Sequence, residues 1–122
     1  MDKLDKLFEL QRTLDGKLGS AGGGDCSREE WLQRKSLALI TEVGEFLEET
    51  HYKWWKTQGP VDEEALREEL IDIGHFFLSM VLTTGMDADE FFARYAKKNQ
   101  VNHARQNSPE YRPDLFDGDD PA

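Results

Sequence analysis

Glu42 and Glu45 stand three residues apart, and after 23 intervening residues Glu69 and Asp72 repeat the spacing. On a helix, residues three apart share a face, so each pair projects from one side of its own helix. Two such pairs facing each other gather four oxygen-donating groups in one place. Like charges held about 4 Å apart repel by several kcal/mol at intermediate effective dielectric, so the cluster calls for a cation. A set of ligands that offers only oxygen favours magnesium, with manganese as a substitute.

Glutamates at this spacing in an acidic chain more often just solubilise a helix. The second pair resists that reading. Asp72 falls inside the most apolar stretch of the sequence, where an unpartnered carboxylate is costly to bury, so it calls for a partner or a metal. Glu68, Glu69, His75 and Ser79 continue a polar stripe on the same helix. A di-iron bundle would need a Glu-x-x-His pair from each of two helices. The chain offers only Asp72-Ile73-Gly74-His75, which leaves His75 a supporting or core histidine, and His51 and His103 are weaker candidates still. Glu49 lies seven residues after Glu42 and four after Glu45, so it outranks Glu48 as an auxiliary carboxylate.

Four helices must position these groups, which makes the fold class all-α with a four-helix-bundle core. The first helix is predicted from residue 2 to about 18, with Leu4, Leu7, Phe8, Leu10 and Leu14 at threes and fours. A glycine-rich connection follows at residues 19–24. Ser27 and Glu30 then form a capping-box pattern that opens a second helix, running through Trp31, Leu37, Ile40, Val43, Phe46 and Leu47 to about Lys56, before Gly59-Pro60 breaks it. A third helix is expected from Val61 or Asp62 to about Thr84. Its residues 70–82 are apolar nearly all round and belong in the middle of a bundle. Gly85 is a natural stop, and Asp87 can cap a fourth helix carrying Phe91, Phe92, Tyr95, Ala96 and Val101.

At 122 residues and 38% hydrophobic the chain has room for one domain with a modest core, which favours self-association. Residues 1–106 are read as the domain and 107–122 as an irregular, acidic, proline-containing tail. With 25 acidic and 15 basic residues the charge is -10, which argues against a nucleic-acid backbone as partner but not against phosphates presented with a divalent metal. The single cysteine, Cys26, forms no internal disulfide. With no signal-like stretch and no 18-residue apolar run, cytoplasmic residence without a membrane partner is the default expectation.

The ordered signature Glu42-x-x-Glu45 and Glu69-x-x-Asp72 is similar to the metal-binding signature of the all-α nucleoside triphosphate pyrophosphatases, the MazG-like superfamily. Two further segments resemble its dimeric dUTPase branch: Tyr52-Lys53-Trp54-Trp55-Lys56, and Tyr95-Ala96-Lys97-Lys98-Asn99-Gln100-Val101-Asn102-His103-Ala104-Arg105-Gln106. The resemblance covers about residues 4–106. It implies a phosphate site lined by Lys98, Asn102 and Arg105, which fall on one helical face and offer a point charge, an amide donor and a planar fork. A basic helix end favoured by the macrodipole is the alternative for these three. It also implies that one of Trp54 and Trp55 stacks on uracil. Gln11 and Asp15 resemble early polar positions of the base pocket, Asp15 standing where the family commonly has asparagine.

The implied activity is magnesium-dependent hydrolysis of dUTP, and of dUDP, to dUMP with release of pyrophosphate or phosphate. The metal ligands are Glu42, Glu45, Glu69 and Asp72, and the assembly is a homodimer. Water attacks phosphorus without a covalent enzyme intermediate, and Glu45 or Glu49 orients or deprotonates it. Two alternatives stay open: a pyrophosphatase for another base, such as that of dCTP, and a non-catalytic helical interaction protein with an acidic stripe.

Overall fold

The structure, a computed structural model, describes residues 1–22 and 26–108. Those residues form four α-helices and no strand: α1 (Lys3–Gly22), α2 (Arg28–Glu49), α3 (Glu63–Thr83) and α4 (Ala88–Gln106). In the compact unit Met1–Ala88, α1 and α2 both pack on α3. Residues 89–108 belong to a second compact unit, which holds all of α4 but its first residue. Among the described residues no helix is long and apolar enough to cross a membrane.

Helix α1 starts on a reciprocal pair, Asp5 N–H donating to Asp2 Oδ1 (2.9 Å) and Asp2 N–H to Asp5 Oδ2 (3.2 Å). It buries Phe8 and Gln11. It also runs past the expected end near Leu18, through Gly19 to Gly22. Glycine in a helix costs only about 1 kcal/mol relative to alanine, which weakens a helix without forbidding it. Of the glycine-rich connection expected at 19–24, residues 23 and 24 lie outside the described residues.

The capping box of α2 is complete. Ser27 Oγ accepts from Glu30 N–H (3.1 Å) while Glu30 Oε1 accepts from Ser27 N–H (3.0 Å), satisfying two N–H groups that the first turn leaves free. The helix ends at Glu49, about two turns short of the expected end near Lys56. The reason lies in the loop that follows. Thr50 Oγ1 donates to Leu47 O (2.6 Å), and His51 takes the left-handed conformation (φ 56°) that leaves the helix. The loop is then tied by His51 Nδ1 to Gly59 O (2.8 Å) and by Gln58 Nε2 donating to His51 O (3.0 Å).

Asp62 caps α3, accepting from the N–H groups of Glu64 (3.0 Å) and Ala65 (3.1 Å). The helix closes at Thr84, and Gly85 supplies the positive φ of 94° that the turn requires. Its apolar stretch is not enclosed within the single chain: Ser79 and Val81 are buried, but Leu70, Ile71 and Phe77 are exposed. Helices α1 and α2 cover only part of its circumference. In the second unit α4 carries an internal pair, Arg94 Nε donating to Glu90 Oε2 (2.8 Å), and exposes Phe92, Tyr95 and Val101. Residues 109–122 of the expected tail lie outside the described residues.

Candidate functional site

Glu42 from α2 and Glu69 and Asp72 from α3 each offer a carboxylate oxygen within 4.8 Å of the other two. The Oε2 atoms of Glu42 and Glu69 are buried with no hydrogen-bond partner, which is costly for an ionised oxygen unless a cation stands beside it. Glu69 shows the strain directly. Burial first, then the Glu42 carboxyl, which can share a proton with it, and the charges of Glu45 and Asp72 push its carboxyl above the ordinary glutamate value of 4.5. Orphaned hard oxygens from two helices suit a small divalent cation.

The carboxylates differ from the sequence expectation in two respects. Asp72 is exposed rather than enclosed by the apolar stretch, so the need for a partner falls on the buried oxygens of Glu42 and Glu69. Exposed Glu45 stays outside the 4.8 Å set, although its charge is felt at Glu69. Glu49 is half-buried on α2.

Beside these groups a cleft of about 240 Å³ opens between the three helices, its walls including Gln11, Leu14, Lys35, Glu42, Asp72 and Phe76. Lys35 and Gln11 are buried. Asp15 is held behind Gln11 by donors from each helix of the unit: Gln11 Nε2 on α1 (2.9 Å), Ser79 Oγ on α3 (2.9 Å) and, as an ion pair, Lys35 Nζ on α2 (3.9 Å). The Lys35 ammonium also lies over the rings of Trp31 (4.8 Å to the centroid) and Phe76 (5.7 Å). His75 lines the same cleft, its Nδ1 3.0 Å from Ile71 O.

Lys35 and Phe76 were missed in reading the sequence for chemistry, and Ser79 was seen only as part of a stripe. A usable signal existed for Lys35, which precedes Glu42 by seven residues and so shares its helical face. Trp54 and Trp55 contact each other edge to face (centroids 5.5 Å apart) in the loop after α2. They are 85% and 60% exposed and do not line the cleft of their own chain. On α4, Lys98 and Asn102 flank a recess of about 160 Å³ with Tyr95 and Asn99, and Arg105 is exposed one turn further along.

A family model described as dUTPase matches residues 3–91, most of the chain. The chain belongs to this dUTPase family. Among its relatives, a dCTP pyrophosphatase of Enterobacteria phage LZ5 is 44% identical over 103 residues, covering 84% of this chain and 53% of the relative. A dCTP pyrophosphatase of Enterobacteria phage T4 is 32% identical over 98 residues, covering 69% and 56%. A DNA replication protein of phage T4 is 31% identical over 90 residues, covering 62% and 22%. The chain thus spans about half the length of the two pyrophosphatases. No solved structure matches it.

The raised Glu69 carboxyl gives this dUTPase-family chain a testable dependence on pH. Above the ordinary value of 4.5 the folded state still holds a proton that the unfolded state has released, so stability falls as pH rises through the folded value. Thermal melts in chelator are expected to show a falling midpoint from about pH 4.5 upward, with magnesium restoring it most at the higher pH, where the ligands are ionised. Midpoints that respond to neither pH nor magnesium would remove the cation from the site.

Proposed function

We propose that the chain hydrolyses dUTP, and dUDP, to dUMP with release of pyrophosphate or phosphate, using magnesium held by Glu42, Glu45, Glu69 and Asp72. The observation that carries this reading is the pair of buried, unpartnered oxygens on Glu42 and Glu69 beside a cleft walled by Gln11 and Phe76. Bound there, magnesium would neutralise phosphate charge and make water a better nucleophile. The chain's own groups do the rest. Glu45, with Glu49 as the alternative, orients the attacking water and accepts its proton. Lys98, Asn102 and Arg105 donate to phosphate oxygens. Gln11 meets the base, and one of Trp54 and Trp55 stacks on it.

The tryptophans lie outside their own chain's cleft, and large apolar side chains are exposed on every helix, including Leu37, Ile40 and Val43 on α2. Both facts support a homodimer in which a partner covers these faces. The names of the phage relatives favour a second reading, in which cytosine takes the place of uracil and dCTP is cleaved. Phosphorus NMR of dUTP, dCTP, dTTP and UTP, each with and without magnesium, separates the possibilities. Pyrophosphate from dUTP alone, in magnesium alone, is the expected result; release from dCTP alone transfers the activity to the second reading. No cleavage of any of them overturns both, and sedimentation of the same sample as a monomer overturns the dimer.

A further inference from the structure

We propose that Asp15, paired with Lys35, fixes the polarity of the Gln11 side-chain amide, so that its carbonyl oxygen faces the cleft and reads a hydrogen-bond donor on the pyrimidine's Watson–Crick edge. The proposal rests on the nucleotide reading of this site and adds the rule by which the base is recognised.

An ionised carboxylate only accepts hydrogen bonds, whereas the amide of Gln11 carries a donor and an acceptor that interchange when the group turns over. Asp15 removes that freedom. Its Oδ1 takes the Gln11 Nε2 proton at 2.9 Å, its Oδ2 takes the Ser79 hydroxyl at 2.9 Å, and the Lys35 ammonium stands 3.9 Å away. Turning the amide over would set the Gln11 oxygen against the carboxylate. The nitrogen is therefore pinned to Asp15, and the oxygen accepts no hydrogen bond from the described residues. Gln11 is only 4% exposed yet lines the cleft, so a donor for that oxygen has to come from what fills the cleft.

Uracil brings such a donor at N3–H and cytosine at its 4-amino group. A 2-pyrimidinone base has neither, and would set acceptor against acceptor. Asp15 and Lys35 are positioning residues in this scheme, and Gln11 is the group that touches the base. In Asp15→Asn the side chain facing Gln11 can donate as well as accept, so only the Lys35 ammonium, 3.9 Å from the accepting position, still biases the two amides and the polarity is weakened.

The test measures binding of dUMP, dCMP and the 2-pyrimidinone deoxyribonucleoside monophosphate to the full chain by calorimetry in magnesium, and so does not depend on turnover. The wild type is expected to prefer the better of dUMP and dCMP over the pyrimidinone by roughly tenfold or more, a preference that shrinks to within about threefold in Asp15→Asn. Gln11→Met, which removes the amide but leaves Asp15 its other two partners, loses it and serves if Asp15→Asn does not fold. A folded Asp15→Asn or Gln11→Met protein that keeps the wild-type preference overturns the proposal, as does a wild type that fails to discriminate or binds neither dUMP nor dCMP. A wild type that discriminates but cleaves no triphosphate overturns only the hydrolytic reading.

Discussion

Glu69→Gln is expected to cut magnesium-dependent turnover by roughly 10²–10³-fold, the equivalent of the several kcal/mol of transition-state stabilisation that a divalent ion supplies. The same substitution is expected to raise, or at least not lower, the melting midpoint in chelator. The two effects have one cause. The Glu69 carboxylate is buried on one oxygen, has no hydrogen-bond partner there and is crowded by Glu42, Glu45 and Asp72. It therefore burdens the metal-free fold and is needed only when a cation is present. Glu48→Gln, on the exposed side of α2 where Glu48 pairs with Lys53 at 3.3 Å, is the control and should leave both readings unchanged. Turnover of Glu69→Gln within about threefold of the wild type would remove Glu69 from the metal site.

Lys35→Met should destabilise the fold by about 1–3 kcal/mol, because it keeps most of the apolar stem but takes from a largely buried carboxylate the one cation paired with it among the described residues. The side chains of Lys35 and Asp15 are 9% and 18% exposed, so water replaces the lost partner poorly. Asp15 keeps the Ser79 and Gln11 bonds, which is why the loss stays below that of a wholly stranded charge. The ammonium's contacts with Trp31 and Phe76 go as well. Urea unfolding with an unchanged m-value reads the effect as stability alone. A midpoint equal to that of the wild type would show that the pair holds nothing together.

What could be read from the sequence was what depends on neighbours in the chain. The capping box of Ser27 and Glu30, the start of α3 at Asp62 and the stop at Gly85 are local chemistry, and all three are present. The spacing of Glu42, Glu69 and Asp72 is likewise a helical property, and it brings those groups onto facing helices once α2 packs on α3. The end of α2 was not legible, because it is decided by bonds from His51 and Gln58 across the following loop. Nor was the burial of Lys35, since a lysine on an amphipathic helix gives no sign that two aromatic rings and an aspartate from other turns and helices will enclose it. Asp72 misled for the converse reason. Its apolar neighbours in sequence are themselves partly exposed in the single chain, so they do not shield it.

The bond from Ser79 to Asp15 joins residues 64 apart in the chain, whereas α2 and α3 are consecutive helices joined by residues 50–62. Closing a short loop costs less chain entropy than closing a long one, so contacts between consecutive helices can form early and distant ones form late. On this ground the two helices that carry the carboxylates are expected to meet before α1 docks and completes the wall that carries Gln11. The crowding of like charges thus arises at an early stage, when few other contacts oppose it. Divalent cations present during refolding should accordingly speed the first assembly of the chain as well as stabilise its final form, and protons should do the same at low pH.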